Sequence, residues 1–356
     1  MRRPRIKEFL RIHRVAGDPH LYIGIGPEKV RITDPTEEMI SFALALDGSS
    51  TVEELRGRFP ETDEWLEALA AQGVLDDAAI PPTGLSDADL RRWSRQINHL
   101  RLYDREGWDG YEGMRRLREA RVVVIGTGAG GTTLLRLLNA AGIGTLEAID
   151  FDTFAEENLP THPTFDEADI GLPKLEALQR HLPLQSSRSR FIPHSTRIES
   201  ADDIVKLVDG ADFFFNAYDR PRNQAIRWSN EASLRTGVPF GQIGITDKGA
   251  RVGPTMIPGV TPCMECVGIR DLTVLRAEKS GSLTGTLVAM VAGIAVNEVI
   301  GLVSGAKTTS RTAGRSLYIN VETLTFDVTP FDFRADCPCR EGRSSRDVAS
   351  SSPAGR

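Results

Sequence analysis

Arg121-Val122-Val123-Val124-Ile125 is a β-branched run without a polar break, the pattern of a strand buried on both faces of a parallel sheet. Leu134, Leu135, Leu137 and Leu138 then recur at helical spacing, and Thr145–Ile149 reads as the next strand, ending at Asp150. Asp212–Ala217 is a further strand-like run. This alternation continues to about residue 335 and predicts an α/β domain, a mostly parallel sheet with helices on both faces. The longest apolar stretch, Leu283–Val303, contains Asn297 and Glu298. A membrane would have to desolvate that carboxylate, so the pattern predicts a buried helix.

Residues 1–80 read differently. Two short strand patterns, His20–Ile25 and Lys29–Thr33, flank the turn Gly26-Pro27-Glu28. Helices are predicted after Thr36, after Thr51 with its capping-box spacing to Glu54, and from Asp63 to near Gly73. Two strands and three helices predict a small winged-helix-like α+β domain, with a binding role and a purely structural one equally compatible. Residues 81–87 are a linker by composition, residues 88–340 form the larger domain, and the Ser/Gly/Arg-rich stretch 341–356 is expected to be a disordered tail.

With 356 residues the chain is long enough for two domains. A net charge of -6 argues against a nucleic-acid partner, which calls for a basic excess. The chain opens Met1-Arg2-Arg3-Pro4-Arg5 with no apolar signal segment, so a cytoplasmic protein is expected, with no membrane partner. In a reducing compartment, the pairs Cys263-x-x-Cys266 and Cys337-x-Cys339 suggest one structural zinc before they suggest disulfides, buried free thiols being the alternative.

The chemistry gathers at the predicted strand ends. Gly126, Gly128 and Gly131 follow the first strand and open a helix, a Rossmann-like arrangement in which glycines admit a phosphate to the helix amino terminus. Asp150, about 20 residues on, stands where an acid binds ribose hydroxyls. These features alone would favour a nicotinamide- or flavin-dependent enzyme. Lys174 at the head of a helix and Asp219 after the Asp212–Ala217 strand shift the reading toward ATP and Mg2+, with Asp219 holding the metal.

These residues resemble the ThiF/MoeB family, whose fold ubiquitin-activating enzymes share, over roughly residues 88–340. Arg92-Trp93-Ser94-Arg95-Gln96-Ile97 is similar to the family's Arg-x-x-Arg-Gln-Ile segment. The resemblance implies that Arg95 reaches a partner's active site in a homodimer, and that Asp150 and Asp152 lie at the nucleotide. It further implies that Asn158 and Lys174 meet the ATP phosphates and that Asp219 serves the magnesium. The leading domain, the segment from Gly241 to Cys266 and Asp219-Arg220-Pro221 are similar to the family's peptide-antibiotic adenylating enzymes. That likeness implies acyl-AMP formation on a precursor peptide, followed by capture by a peptide nucleophile. A sulfur-carrier activator and a non-catalytic binder are the alternatives. One departure stands out: where the family has an arginine three residues past the asparagine, this chain has Thr161. A lost guanidinium removes a charge-assisted contact of about 1.5–3 kcal/mol. Arg197 and Arg222 could substitute for it.

Overall fold

The computed structural model describes residues 1–27, 29–218, 222–246, 248–269 and 283–340; for 222, 223 and 340 it describes the backbone only. The chain forms two compact units, Met1–Tyr111 and Glu112–Arg356.

In the first unit, β1 (Pro4–Ile6) pairs antiparallel with β5 (Leu75–Asp77). A separate meander joins β2 (Ile12–Arg14), β3 (Leu21–Ile23) and β4 (Val30–Ile32), leaving β4 at an edge. Sequence patterning captured β3 and β4. Strands β1, β2 and β5 are as short as β3 and β4, three residues each, but no Gly-Pro turn between two apolar runs marks them in the sequence. Helices α1 (Glu37–Ala45), α2 (Val52–Arg56) and α3 (Thr62–Ala71) pack on the sheets through Phe42, Leu46, Leu55, Phe59 and Leu69. Thr36 caps α1, and Thr51 with Glu54 forms the expected capping box on α2.

Helices α4 (Asp87–Arg92) and α5 (Ser94–Leu100) complete this unit, with a 3-10 turn over Arg101–Tyr103. The turn after α5 is held by charged groups. The ammonium of Lys7, 2% exposed, donates to the Arg101 carbonyl at 2.7 Å and lies 3.0 Å from Asp104, while Arg101 pairs with Asp76. Two buried cations are tolerable here because each has a carboxylate partner. Arg95 lies on α5, exposed and without an ion pair among the described residues.

α6 (Gly110–Glu119) leads into the second unit. Its chain order continues β6 (Arg121–Ile125), α7 (Ala129–Ala140), β7 (Thr145–Asp150), α8 (Lys174–Gln185), β8 (Arg190–Ser195), α9 (Ala201–Val208), β9 (Phe213–Asn216) and α10 (Arg222–Thr236). Then come β10 (Phe240–Thr246), β11 (Gly249–Val252), the short α11 (Met264–Val267), α12 (Gly285–Val303), β12 (Arg315–Asn320) and β13 (Thr325–Pro330). The eight-stranded sheet runs β13-β12-β11-β10-β9-β6-β7-β8. Its five strands from β10 to β8 are parallel, and β11 to β13 extend it antiparallel. The expected α/β architecture is therefore present.

α12 is long and apolar enough to cross a membrane, yet it packs on α7, β10 and β11. Its Glu298 accepts from Lys307 at 3.0 Å, from the Ser310 hydroxyl at 2.7 Å and from the Arg311 N–H. The carboxylate that made a membrane span improbable from sequence is thus satisfied inside the fold. Residues 341–356, the expected tail, lie outside the described residues.

Candidate functional site

At two of its three positions the glycine turn after β6 admits nothing larger. Gly126 sits at φ +92°, and a Cβ there would lie 2.8 Å from the Ala217 carbonyl oxygen. A Cβ on Gly131 would stand 1.8 Å from the Gly126 carbonyl oxygen, so the third glycine lets α7 approach β6. A Cβ on Gly128 would meet nothing within 4 Å, so here the backbone itself stays open to a ligand. Gly128 is also the N-cap of α7, with no side-chain cap bond, so the amide groups of that first turn are available to an anion.

Asp150 closes the loop from behind. One carboxylate oxygen accepts from the Thr127 N–H at 2.6 Å and its hydroxyl at 2.7 Å. The other accepts from the N–H groups of Phe151 at 2.7 Å and Asp152 at 2.8 Å. Four donors use the acceptor capacity of an ionised carboxylate, which makes Asp150, 8% exposed, a staple between strand end and loop. Asp150→Ala would leave these donors without their acceptor, including the N–H of wholly buried Thr127, and should lower stability by about 3 kcal/mol. In thermal unfolding this is a Tm drop of roughly 6–12 °C, and a drop below about 2 °C would refute the staple. Thr127 escaped notice in the sequence, since a small hydroxyl inside a glycine loop reads as filler.

Asp152 and Lys174 meet beside this staple. The Lys174 N–H donates to the Asp152 carbonyl at 3.0 Å, and Nζ lies 3.5 Å from the Asp152 carboxylate. The lysine side chain is 10% exposed and the Asp152 side chain 55%. A cavity of about 240 Å3 opens here, lined by Asp152, Pro173, Glu176, Gln179, Pro193 and Ser195. Arg197 stands over the half-exposed Phe151 ring, 4.2 Å from its centroid.

Asn158 lies in a 3-10 turn over Glu156–Thr161, where its Oδ1 accepts from the Ala155 N–H at 3.1 Å. Thr161, at the expected arginine position, donates its hydroxyl to the Asn158 carbonyl at 3.0 Å. His162 beside it is 3% exposed. Burial, with a smaller contribution from Lys174, pushes its ring down to about 4, so at neutral pH the imidazole is uncharged. Asp219 lies outside the described residues, as does the side chain of Arg222. Tyr218, immediately before Asp219, packs against the loop: its Cβ would lie 2.8 Å from a Cβ on Gly126. Loop, Asp150, Asp152 and Lys174 thus form one connected group at the carboxyl ends of parallel strands, where open α/β sheets bind ligands.

Away from this group, four sulfurs converge. Cys263 lies 3.9 Å from Cys266 and 3.5 Å from Cys337, and Cys266 lies 3.6 Å from Cys339. All four lie within 4.8 Å of one another. Ligands about 2.3 Å from a tetrahedral zinc stand about 3.8 Å apart, so the separations fit that ion. The Arg334 N–H donates to the Cys266 sulfur at 3.4 Å. Burial pushes the Cys263 thiol up to about 11, which a cation at this point would reverse. The Cys-x-Cys spacing does not prevent its pair from joining the cluster. Asp169, which also falls in an acidic and histidine group with Asp166 and His181, is engaged already by Arg180 at 3.0 Å and His181 at 2.6 Å.

A family model described as the ThiF family matches residues 94–339. The sulfur carrier protein ThiS adenylyltransferase of Bacillus subtilis (strain 168) is 31% identical over 166 residues, 44% of this chain and 46% of that protein. The chain spans about half or less of the length of the curated relatives it matches at 31–32% identity. Among solved structures, E. coli MccB with MccA-N7isoASN superposes with a TM-score of 0.80 at 20% identity, covering 95% of this chain and 99% of that one. PaaA superposes with a TM-score of 0.77 at 20% identity, covering 92% and 100%. At that identity the likeness concerns the fold.

Proposed function

The chain belongs to the ThiF family, and from that premise we propose that it activates a carboxylate of a ribosomally made precursor peptide as its acyl-adenylate. The observation that carries this reading is the connected group of glycine loop, Asp150, Asp152 and Lys174. A peptide carboxylate oxygen attacks the α-phosphorus of ATP in line. The bond from that phosphorus to the bridging oxygen breaks, and pyrophosphate leaves with the electron pair. Such transfer depends on positioning and charge neutralisation, which the residues at the loop can supply. The amide groups of the α7 amino terminus receive phosphate oxygens, Lys174 neutralises charge developing on them, and Asp150 and Asp152 set the strand end at which the ribose rests. Asn158 offers its amide to the phosphates, and Arg95 serves the site of the partner in a homodimer. Mg2+, when bound through Asp219, neutralises further phosphate charge.

The fold resemblance to MccB and PaaA and the architecture of the first unit support a peptide substrate. Among the described residues β4 is an edge strand of its sheet, with no strand paired to its outer side. Beside it runs a groove of about 400 Å3 lined by Val30, Ile32, Met39, Phe42, Trp65 and Leu69. A leader peptide would add a strand to β4 and lay alternate apolar side chains into that groove. The acceptor that captures the adenylate is a nucleophile of the peptide itself. The chain has only four cysteines, and all four converge on the proposed zinc site, so none is left for a thioester relay. We place the enzyme in the cytoplasm, in keeping with a thiolate zinc site.

ATP–pyrophosphate exchange decides the matter. Exchange dependent on a peptide encoded beside the gene supports the reading. Exchange only with a small carrier protein ending in Gly-Gly would favour sulfur-carrier activation, the activity for which the Bacillus relative is named. Absence of AMP formation with either class of substrate would favour a binding protein, a reading that Thr161 in place of arginine keeps open.

A further inference from the structure

The Asn158 main-chain carbonyl accepts three hydrogen bonds: from the His162 N–H at 3.1 Å, from His162 Nδ1 at 2.9 Å, and from the Thr161 hydroxyl at 3.0 Å. A carbonyl oxygen can only accept, so the proton of the neutral ring is assigned to Nδ1 and Nε2 is bare. Nε2 is buried without a hydrogen bond of normal geometry, although the Thr127 carbonyl bears on the ring's titration; the Nδ1 contact to Asn158, at 2.9 Å, decides the tautomer. The ring stacks on Phe165 at 5.9 Å and meets Phe154 edge-on at 5.5 Å, which fixes its plane.

We propose that His162 is a positioning residue of the triphosphate site: it locks the Asn158 turn so that the Asn158 side-chain amide is aimed at the phosphates, offsetting by rigidity the charge missing at Thr161. The Asn158 Oδ1 is committed to the Ala155 N–H, which leaves the amide nitrogen as the end offered to a ligand; among the described residues it donates to nothing. The ring acts uncharged. The groups that bear on its titration are Lys174 from the head of α8, which disfavours a proton, and Asp150 from the end of β7, which favours one. The backbone carbonyls of Asn158 and Thr127 also favour one, and burial outweighs all three. This inference rests on ATP being the ligand.

Titration calorimetry of the full chain with Mg2+ and ATP tests it. His162→Phe keeps the ring packing and removes the Nδ1 donor, so ATP affinity should fall about tenfold, the effect of one well-placed hydrogen bond. His162→Asn sets an amide donor near the place of Nδ1 and should stay within about threefold of the wild type. Because His162 acts through Asn158, adding His162→Phe to Asn158→Ala should cost nothing beyond Asn158→Ala alone. Wild-type affinity should show no inflection from this ring between pH 6 and 8, as its pKa lies near 4. Full affinity in His162→Phe overturns the proposal, and so do effects that simply add in the double variant. Should His162→Phe not fold, His162→Leu carries the same cycle. A wild-type chain that binds no ATP overturns the adenylation reading itself, an outcome distinct from wild-type binding with an indifferent His162.

Discussion

Lys174→Ala should lower peptide-dependent ATP–pyrophosphate exchange by a factor of about 10²–10³ while Tm moves by no more than about 4 °C. The large effect follows from where the ammonium sits. It is 10% exposed at the first residue of α8, so the charge acts with little water to screen it. Its backbone is tied to Asp152 by the Lys174 N–H, a bond that alanine preserves. The small stability effect follows from the partner: the Asp152 side chain is 55% exposed, so the carboxylate left behind is solvated by water and no buried charge is orphaned. Lys174→Arg should rescue only part of the activity, since a planar fork replaces a compact charge. Exchange within about threefold of wild type in Lys174→Ala would remove this lysine from the chemistry and, with it, the strongest support for adenylation.

Removal of the metal should have the largest effect on stability. Purified protein should carry one zinc per chain, and a strong chelator should lower the Tm of the second unit by roughly 10 °C or more. Zinc binding alone is worth about 10–16 kcal/mol in small metal-dependent folds. A smaller share appears here because the second unit has its own core of sheet and helices. The ion would join two segments 74 residues apart, Cys263 and Cys337, and so hold the chain that follows β13 against the region of α10 and α11. Cys263→Ser should reproduce the loss, as Cys263 is 1% exposed and packs in the same core as Met264 and Phe240. Protein without zinc and a Tm indifferent to chelation would leave four free thiols, two buried and two partly buried, and no metal site.

Some of this was written in the residues themselves. The run Val122–Ile125 and the three glycines after it require a buried parallel strand and a tight turn, because no other backbone satisfies both constraints. Lys174 at a helix start and the two cysteine pairs were likewise legible, since residue type and spacing carry their chemistry. Strands β1, β2 and β5 of the first unit were not, because three residues carry no readable alternation and no turn motif flags them as Gly26-Pro27-Glu28 flags β3 and β4. The buried Lys7, Arg101, Asp76 and Asp104 network was also illegible, as its members lie up to 97 positions apart and each alone reads as a surface charge.

The sequence determined the strand–helix alternation of the second unit, the glycine turn and the donors available for a metal, because these depend on local backbone sterics and on side-chain chemistry. Only the tertiary structure decided that Asp150 spends its lone pairs on Thr127 and its own strand end, that Asp152 is the carboxylate facing Lys174, and that His162 is a buried neutral ring. Those outcomes depend on which groups long-range packing brings within about 3 Å and which it takes out of water, and neither quantity has a local signature in the chain.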